Sequence, residues 1–250
     1  MYFTTDGVVL RETAYRDADK LLTVLTFDQG QLTLRARGVR SRQSKLKPSC
    51  QLLAYSEFTI FENRGKMTVD EAEPKRLFAS LRTNLELLAL ASYFAQVAEL
   101  LSQEDSPSPQ LLQLLLQSFH TLDELGRPQA LVKAVFELRA ACLAGFMPDL
   151  SGCAVCGRES PEYFNVSDGQ LLCEGCNNGS DGLRMPVLPG TLAAMRHIAG
   201  GERPFSFRLG GESLRALSDV AETYLAMQLE RGFSTLDFYK SLIQDKGAAI

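Results

Sequence analysis

Four of the six cysteines form two pairs that have the spacing of metal ligands. Two residues separate Cys153 from Cys156 and Cys173 from Cys176, and sixteen residues lie between the pairs. Cysteines spaced in this way let both thiolates of a turn reach one ion, and two such turns complete a tetrahedral shell of four sulfurs. Because four thiolates leave no open position for water, the spacing predicts a structural site with zinc as its metal.

Other uses of these cysteines fit the pattern less well. Four ordinary reduced thiols are the simplest alternative, but they would not explain a repeated pair in a turn-rich segment, where Gly157 permits a tight turn after the first pair. A redox pair would sit between a strand and a helix of a βαβ unit, which is not indicated for either pair. Cys50 and Cys142 lack such spacing and are expected to be buried or incidental thiols.

The sequence offers no set of catalytic residues. His120 and His197 are the only histidines, and neither is followed by the glutamate of a zinc deaminase. Gly65-Lys66 lacks the upstream glycine of a phosphate-binding loop. We therefore expect no enzyme and no catalytic residue. A zinc-dependent or thiol enzyme remains the alternative, and it would need an open ligand position or a perturbed cysteine.

A second feature with chemical potential is a run of cations between residues 31 and 49. This run contains six cations and no acid: Arg35, Arg37, Arg40, Arg42, Lys45 and Lys47. Arginine and lysine on a loop suit contacts to phosphates, which bind nucleic acid without reading its sequence. The alternative is an ordinary solvated loop. Tyr55, Phe58 and Phe61 are candidate stacking platforms, with burial in a core as the competing expectation.

The charge balance differs along the chain and supports a polyanion partner for the first part. The formal net charge is −4 overall. Residues 1–80 carry 13 Lys and Arg against 10 Asp and Glu, whereas residues 81–250 carry 13 against 20. An asymmetry of this kind indicates a polyanion-binding portion joined to a different kind of domain.

The basic run belongs to a segment that reads as short strands. The expected strands cover residues 7–10, 20–27, 32–37, 55–61 and 67–70. Alternating apolar and polar residues in the third run are typical of a half-buried strand. Glycine-containing turns follow the second and fourth runs, and five short strands in about 75 residues predict a small closed barrel.

Helical spacing follows Pro74 and surrounds the cysteines. The expected helices cover 75–104, 110–125, 128–143, 191–198 and 213–231. A minimal hairpin is expected between the cysteine pairs. No apolar stretch reaches the roughly 20 residues of a membrane span, and the amino-terminal residues do not follow the plan of a secretory signal, so a cytoplasmic location is expected.

Several stretches together resemble the RecO family of DNA repair and recombination mediators. The amino-terminal ones are GVVLRETAYRDADK at 7–20, ARGVR at 36–40 and SKL at 44–46. The others are GFMPDL at 145–150, directly before the first cysteine pair, and GQLLC at 169–173. The resemblance covers roughly residues 1–243.

The resemblance implies an α+β multidomain fold. It places an OB-fold DNA-binding barrel at residues 1–78 and an α-helical domain at 79–149 and 183–243. A zinc-binding module at 150–182 would be inserted in the helical domain, and residues 244–250 would form a flexible tail.

For function, the resemblance implies a non-catalytic, nucleoid-associated protein that binds single- and double-stranded DNA and anneals complementary strands. With RecR it would help load RecA onto DNA coated by single-strand-binding protein, whose carboxy-terminal tail it would engage. The six cations match the family's basic region, with Arg11, Arg16 and Lys20 as secondary additions. The alternative is an interaction adaptor with a structural zinc site and no direct DNA role. No tail pocket can be assigned from the sequence; Arg127, Lys133 and Arg139 are cations in a plausible place for it, with plain surface charges as the equal alternative.

Overall fold

The computed structural model describes residues 1–176 and 182–247, with side chains through residue 244. Residues 177–181 of the expected zinc module and 248–250 of the expected tail lie outside the described residues. The chain divides into two compact units. One comprises Met1–Glu124 together with the segment from Phe233 onward, and the other comprises Leu125–Gly232.

The first unit begins with a closed barrel, as the sequence predicts. Its strands are β1 (Tyr2–Tyr15), β2 (Asp19–Thr26), β3 (Gln31–Ala36), β4 (Tyr55–Asn63) and β5 (Lys66–Arg76). They close in the order β1-β2-β3-β5-β4, with β3 and β5 parallel and the other pairs antiparallel. The strand β1 pairs with both β2 and β4, and a bulge at Val9–Arg11 marks a shift in its register, which helps a long strand bend around a barrel.

The barrel interior is filled by the apolar side of each strand. Leu32, Leu34 and Ala36 are buried while Thr33 is exposed, as the alternation in β3 predicts. The turn between β4 and β5 has positive φ at both central residues, 51° at Arg64 and 72° at Gly65, which suits a tight hairpin. The rest of the core cluster comprises Val9, Leu22, Val24, Val39, Cys50, Phe58, Ile60 and Val69.

Four helices complete the first unit. They are α1 (Ala79–Thr83), α2 (Leu85–Leu101), α3 (Pro109–Asp123) and α7 (Ser234–Gly247). The single helix expected from residue 75 is two helices, because the Asn84 side chain accepts hydrogen bonds from the backbone N–H groups of Glu86 and Leu87 and thereby starts α2. The stretch before it, through Arg76, continues β5.

The helix α7 was missed by the sequence analysis, which ended the helices at residue 231. Its apolar signal is short: Phe233, Leu236 and Tyr239 are buried at three-residue spacing. The ring of Phe233 packs edge-on against Tyr93 of α2, with 5.3 Å between ring centres. The helix includes residues 244–247 of the expected flexible tail.

The second unit combines three helices with a small sheet. Its helices are α4 (Gln129–Leu143), α5 (Pro189–Gly200) and α6 (Gly211–Gln228), and its strands are β6 (Asp149–Cys153), β7 (Tyr163–Asn165), β8 (Gln170–Leu172) and β9 (Arg184–Pro186). The sheet order is β6-β8-β7-β9. The strands β7 and β8 form the expected hairpin.

The buried faces of α4 include a charged group. Lys133 lies 3.0 Å from a carboxylate oxygen of Glu137 and 2.7 Å from one of Glu222 in α6. Burial disfavours the charged amine, but the two carboxylates outweigh it and raise the pKa of Lys133.

The helices of the chain are divided between the two compact units. The domain boundaries expected from the resemblance stay a prediction. Within the described residues, no helix is long and apolar enough to cross a membrane.

Candidate metal centre and nucleic-acid interface

The four cysteines predicted as metal ligands converge in the second unit. The sulfurs of Cys153, Cys156, Cys173 and Cys176 all lie within 4.8 Å of one another. The distance between the Cys156 and Cys173 sulfurs is 3.7 Å, close to the roughly 3.8 Å edge of a tetrahedron with metal–sulfur bonds of about 2.3 Å. None of the four is in a disulfide. The group can hold one metal ion.

Local backbone turns present these sulfurs. Cys153 ends β6, and its carbonyl accepts a 2.8 Å hydrogen bond from the Gly157 N–H. Gly157 has φ 73°, which a residue with a side chain rarely adopts. In the second pair, the Cys176 N–H donates to the Cys173 carbonyl at 3.1 Å at the end of a single 3-10 turn. The Cys173 N–H donates to the Cys153 sulfur at 3.3 Å and links the two turns.

The electrostatics of the cluster favour a bound cation. Burial opposes a charge on Cys153, but hydrogen bonds from nearby backbone N–H groups, those of Cys156 and Cys173 foremost, lower its pKa to about 6. The pKa of Cys173 rises to about 12 through burial and its neighbouring thiols, and that of Cys176 rises to about 11, chiefly through its contact with Cys156. Four thiolates this close repel one another, and a divalent cation removes that repulsion and keeps the thiols deprotonated.

The cluster is anchored to the helices of its own unit. Arg196 of α5 donates to the carbonyls of Leu150 and Glu159, both at 2.7 Å, and so ties the strand before the first cysteine pair to the loop after it. At the hairpin, Gly169 lies against Tyr224 of α6, since a side-chain carbon placed there would come within 2.7 Å of the phenol oxygen. The strand before the first cysteine pair, the loop after it and the hairpin are therefore packed against helices of the same unit.

Five of the six predicted basic residues lie on the connection between β3 and β4, and the sixth, Arg35, lies within β3. This connection is a series of turns rather than a helix. Val39 and Cys50 point into the barrel core, and burial raises the pKa of the Cys50 thiol to about 12. With those residues facing inward, the cations face solvent. We call residues 37–47 the basic loop, and its five exposed cations are Arg37, Arg40, Arg42, Lys45 and Lys47.

Arg35 differs from the other five predicted cations. Its guanidinium donates to one carboxylate oxygen of Asp19, at 2.9 Å from Nε and 2.6 Å from Nη2. The other Asp19 oxygen accepts from the Gly38 N–H at 2.8 Å. These bonds, the Gly38 N–H first and then Arg35, lower the pKa of Asp19. Asp19 therefore joins β2 and β3 to the start of the basic loop, and Arg35 is largely neutralised.

The basic loop is also tied to the turn between β1 and β2. The Arg40 N–H donates to the Ala18 carbonyl at 3.0 Å, and its guanidinium donates to the Arg16 carbonyl at 3.4 Å. Of the secondary cations, Arg11 pairs with Glu99 and Lys20 with Glu12 in the same unit. Arg16 has no carboxylate within 4.0 Å among the described residues.

Other candidate residues have structural partners. Phe58 is fully buried. The ring of Phe61 contacts that of Tyr2 at a tilt of 43°, with 4.9 Å between ring centres, and the Tyr55 hydroxyl donates to Asp6 at 3.2 Å. His120 pairs with Glu124 at 3.2 Å. Arg127 and Arg139 donate to backbone carbonyls of their own unit, those of Phe205 and Ala199 at 3.1 Å each.

Two residues of this region were missed by sequence reasoning. Asp19 was not singled out from the sequence, and only the fold shows that it organises the loop. Tyr15 was not considered, although its ring lies beside Arg16 and Arg35. An aromatic residue directly before an arginine at a strand end is the one signal that could have found it.

These features define an OB-fold protein with further helices and a four-cysteine metal-type cluster. The chain matches the family model "Recombination protein O N terminal" over residues 1–78 and "Recombination protein O C terminal" over residues 82–237. The chain therefore belongs to the RecO family of DNA repair proteins, as the sequence resemblance predicts.

Relatives match over nearly the whole chain. A protein named DNA repair protein RecO from Acetivibrio thermocellus is 30% identical over 245 residues, covering 96% of this chain and 97% of the relative. One of the same name from Dehalococcoides mccartyi (strain CBDB1) is 31% identical and covers 96% of each. Another from Anaeromyxobacter sp. (strain K) is 32% identical over 234 residues, covering 89% of this chain and 91% of the relative.

Proposed function

We propose that this protein is a cytoplasmic, nucleoid-associated recombination mediator that binds DNA and anneals complementary single strands. With RecR it would help load RecA onto DNA coated by single-strand-binding protein. The observation that carries the DNA role is the basic loop: within the described part of the chain, Arg37, Arg42, Lys45 and Lys47 have no carboxylate within 4.0 Å. Unpaired cations of this kind are free to bind phosphates.

The proposed mechanism uses no catalytic residue and no nucleotide hydrolysis. Two complementary strands repel each other through their phosphates until base pairing begins. The basic loop binds phosphates of one strand and lowers that repulsion, and the bases stay free to pair with the second strand. Because its contacts are to phosphates, binding has little sequence preference and weakens steeply with salt.

The cysteine cluster is assigned a structural role. Cys153, Cys156, Cys173 and Cys176 would hold Zn²⁺, which suits four thiolate ligands and whose shell they fill. A bound ion would stabilise the fold of the second unit and supply no chemistry to DNA. Contacts to RecR and to the carboxy-terminal tail of single-strand-binding protein are part of the proposal without assigned residues.

The test is annealing of two complementary oligonucleotides coated with single-strand-binding protein, without ATP, at low and moderate salt. The wild type is expected to accelerate annealing, and the triple variant Arg37→Glu, Arg40→Glu, Arg42→Glu is expected to lose that acceleration at both salt concentrations. Loss of DNA binding alongside annealing would place the defect at the basic loop.

A matched control changes the same number of charges elsewhere. Arg208, Arg215 and Arg231 are exposed and lack a carboxylate partner among the residues described. Their reversal to glutamate is expected to leave annealing within about twofold of wild type. If both triple variants lose annealing equally, the loss follows from the change in net charge and not from the basic loop. If the wild type binds no DNA, the interaction adaptor becomes the favoured function.

A further inference from the structure

Tyr15 is an aromatic ring at the end of β1 whose surroundings are cationic. The ring is half-buried. The guanidinium carbon of Arg16 lies 5.3 Å from the ring centre, and that of Arg35 lies 5.4 Å away. The hydroxyl of Tyr15 has no hydrogen-bond partner among the residues that the structure describes. The two arginines therefore contact the face of this ring and not its hydroxyl group.

The two arginines beside the ring are held very differently. Arg35 is fixed by its two hydrogen bonds to Asp19. Arg16 is exposed and has a positive φ of 54° in the turn after β1, and in the part of the chain described its guanidinium makes no ion pair. Arg16 can leave the ring without breaking an ion pair, whereas Arg35 cannot.

A guanidinium and a nucleobase are both flat groups that stack on an aromatic ring. A phosphate near the turn attracts Arg16 more strongly than the ring does, because a full negative charge replaces a quadrupole. Once Arg16 moves to the phosphate, the face of Tyr15 that it covered becomes available to an unpaired base. A base inside a duplex is stacked on its neighbours and cannot use that face.

We propose that Tyr15 is a base-stacking platform for single-stranded nucleic acid, and that Arg16 is the phosphate contact that uncovers it. The inference rests on the proposed DNA role and assigns it a residue that distinguishes single strands from duplexes. The bonds from Arg40 to Ala18 and Arg16 put the platform beside the basic loop. A strand bound by the loop therefore has an aromatic face within reach of its bases.

The first test compares the affinity of three proteins for two single-stranded ligands by fluorescence anisotropy. The ligands are an oligothymidylate and an abasic oligomer of equal length and charge. Tyr15→Leu is expected to lower affinity for the oligothymidylate about tenfold, since stacking contributes roughly this much per base. The same variant is expected to keep the wild-type affinity for the abasic oligomer. Tyr15→Phe is expected to bind both ligands with an affinity within about twofold of wild type.

The second test locates the contact. Ultraviolet cross-linking with an oligonucleotide that carries 5-iododeoxyuridine is expected to attach to Tyr15, and mass spectrometry of the peptides reads the position. Arg16→Ala keeps this cross-link and reduces the slope of log affinity against log salt by about 0.7, as one lost phosphate contact does on a single strand.

The outcomes separate the inference from the function it rests on. If Tyr15→Leu lowers the affinity for the oligothymidylate and for the abasic oligomer equally, the ring supports the loop and stacks on no base. If the wild type binds both ligands and Tyr15→Leu changes neither affinity, Tyr15 is not a stacking platform, although the protein still binds DNA. A wild type that binds neither ligand removes the proposed DNA role itself.

Discussion

The cysteine cluster and the basic loop are both built from chemically active side chains, but in opposite ways. The cluster brings four sulfurs within 4.8 Å of one another, and two of them, those of Cys153 and Cys173, are buried. The basic loop spreads its cations over residues 37–47 and leaves all five exposed. The cluster depends on packing around it, and the loop depends on the absence of packing.

This difference fits the role proposed for each region. One ion needs all its ligands at one point, so turns, strands and helices must hold the cysteines there. A polyanion has its charges spaced along a chain, so separate cations in solvent suffice to bind it. We therefore expect changes in the second unit's buried groups to affect stability, and changes in the basic loop to affect binding.

The largest effect on stability is expected from the cysteines. If the cluster holds zinc as proposed, the double variant Cys153→Ser, Cys173→Ser should bind none and unfold at a much lower temperature, because structural zinc contributes on the order of 10 kcal/mol of binding free energy in small zinc-binding peptides. Elemental analysis and calorimetry measure the two quantities. Cys142→Ala is the control. This buried thiol lies outside the cluster, so the variant should keep the metal. Metal loss with an unchanged melting curve would contradict a structural role.

The next largest effect is expected from the buried cation of α4. Lys133→Met removes the buried cation that the carboxylates of Glu137 and Glu222 both contact, and should cost about 3–5 kcal/mol. The matched control is Lys47→Met, which removes an exposed lysine of the basic loop and should change stability by less than about 0.5 kcal/mol. Urea denaturation measures both. If both variants lose the same free energy of unfolding, buried groups of the second unit matter no more for stability than exposed groups of the basic loop.

A smaller, pH-dependent effect is expected from Asp19. Its pKa is lowered in the folded protein by the Gly38 N–H and by Arg35, so it stabilises the fold above its unfolded pKa. That contribution disappears as the pH falls through the folded pKa. Asp19→Asn keeps the shape but loses the charge, so its stability should fall less between about pH 5 and pH 2 than that of the wild type. Parallel curves from thermal melts across this range would show that Asp19 is not linked to folding.

The smallest effect on stability is expected where the effect on binding is largest. Arg37→Ala, Arg40→Ala, Arg42→Ala should leave the free energy of unfolding nearly unchanged. The slope of log affinity against log salt for single-stranded DNA should drop by about 2, as three lost phosphate contacts predict. Titrations at several salt concentrations measure the slope. An unchanged slope would place the DNA contacts elsewhere on the chain.

Local patterns carried much of the prediction. The alternation of Leu32, Leu34 and Ala36 and the glycine turns suffice for a small barrel, because a strand's burial repeats every two residues. The spacing of the cysteines suffices for a metal site, because two residues between ligands define a turn. Long-range partners have no such local signal. The Asn84 cap is local but was not predicted, and neither was the helix from Ser234, whose apolar pattern is short.

The sequence by itself therefore determined the barrel strands and most of the long helices, which four sulfurs meet, and where the cations are concentrated. Only the tertiary structure decided which charges are free. It pairs Arg35 with Asp19, buries Lys133 between two glutamates, and sets Tyr15 beside two arginines. The physical reason is that an ion pair or a ring contact depends on distance in space, and residues from different strands or helices acquire that distance only when the chain folds.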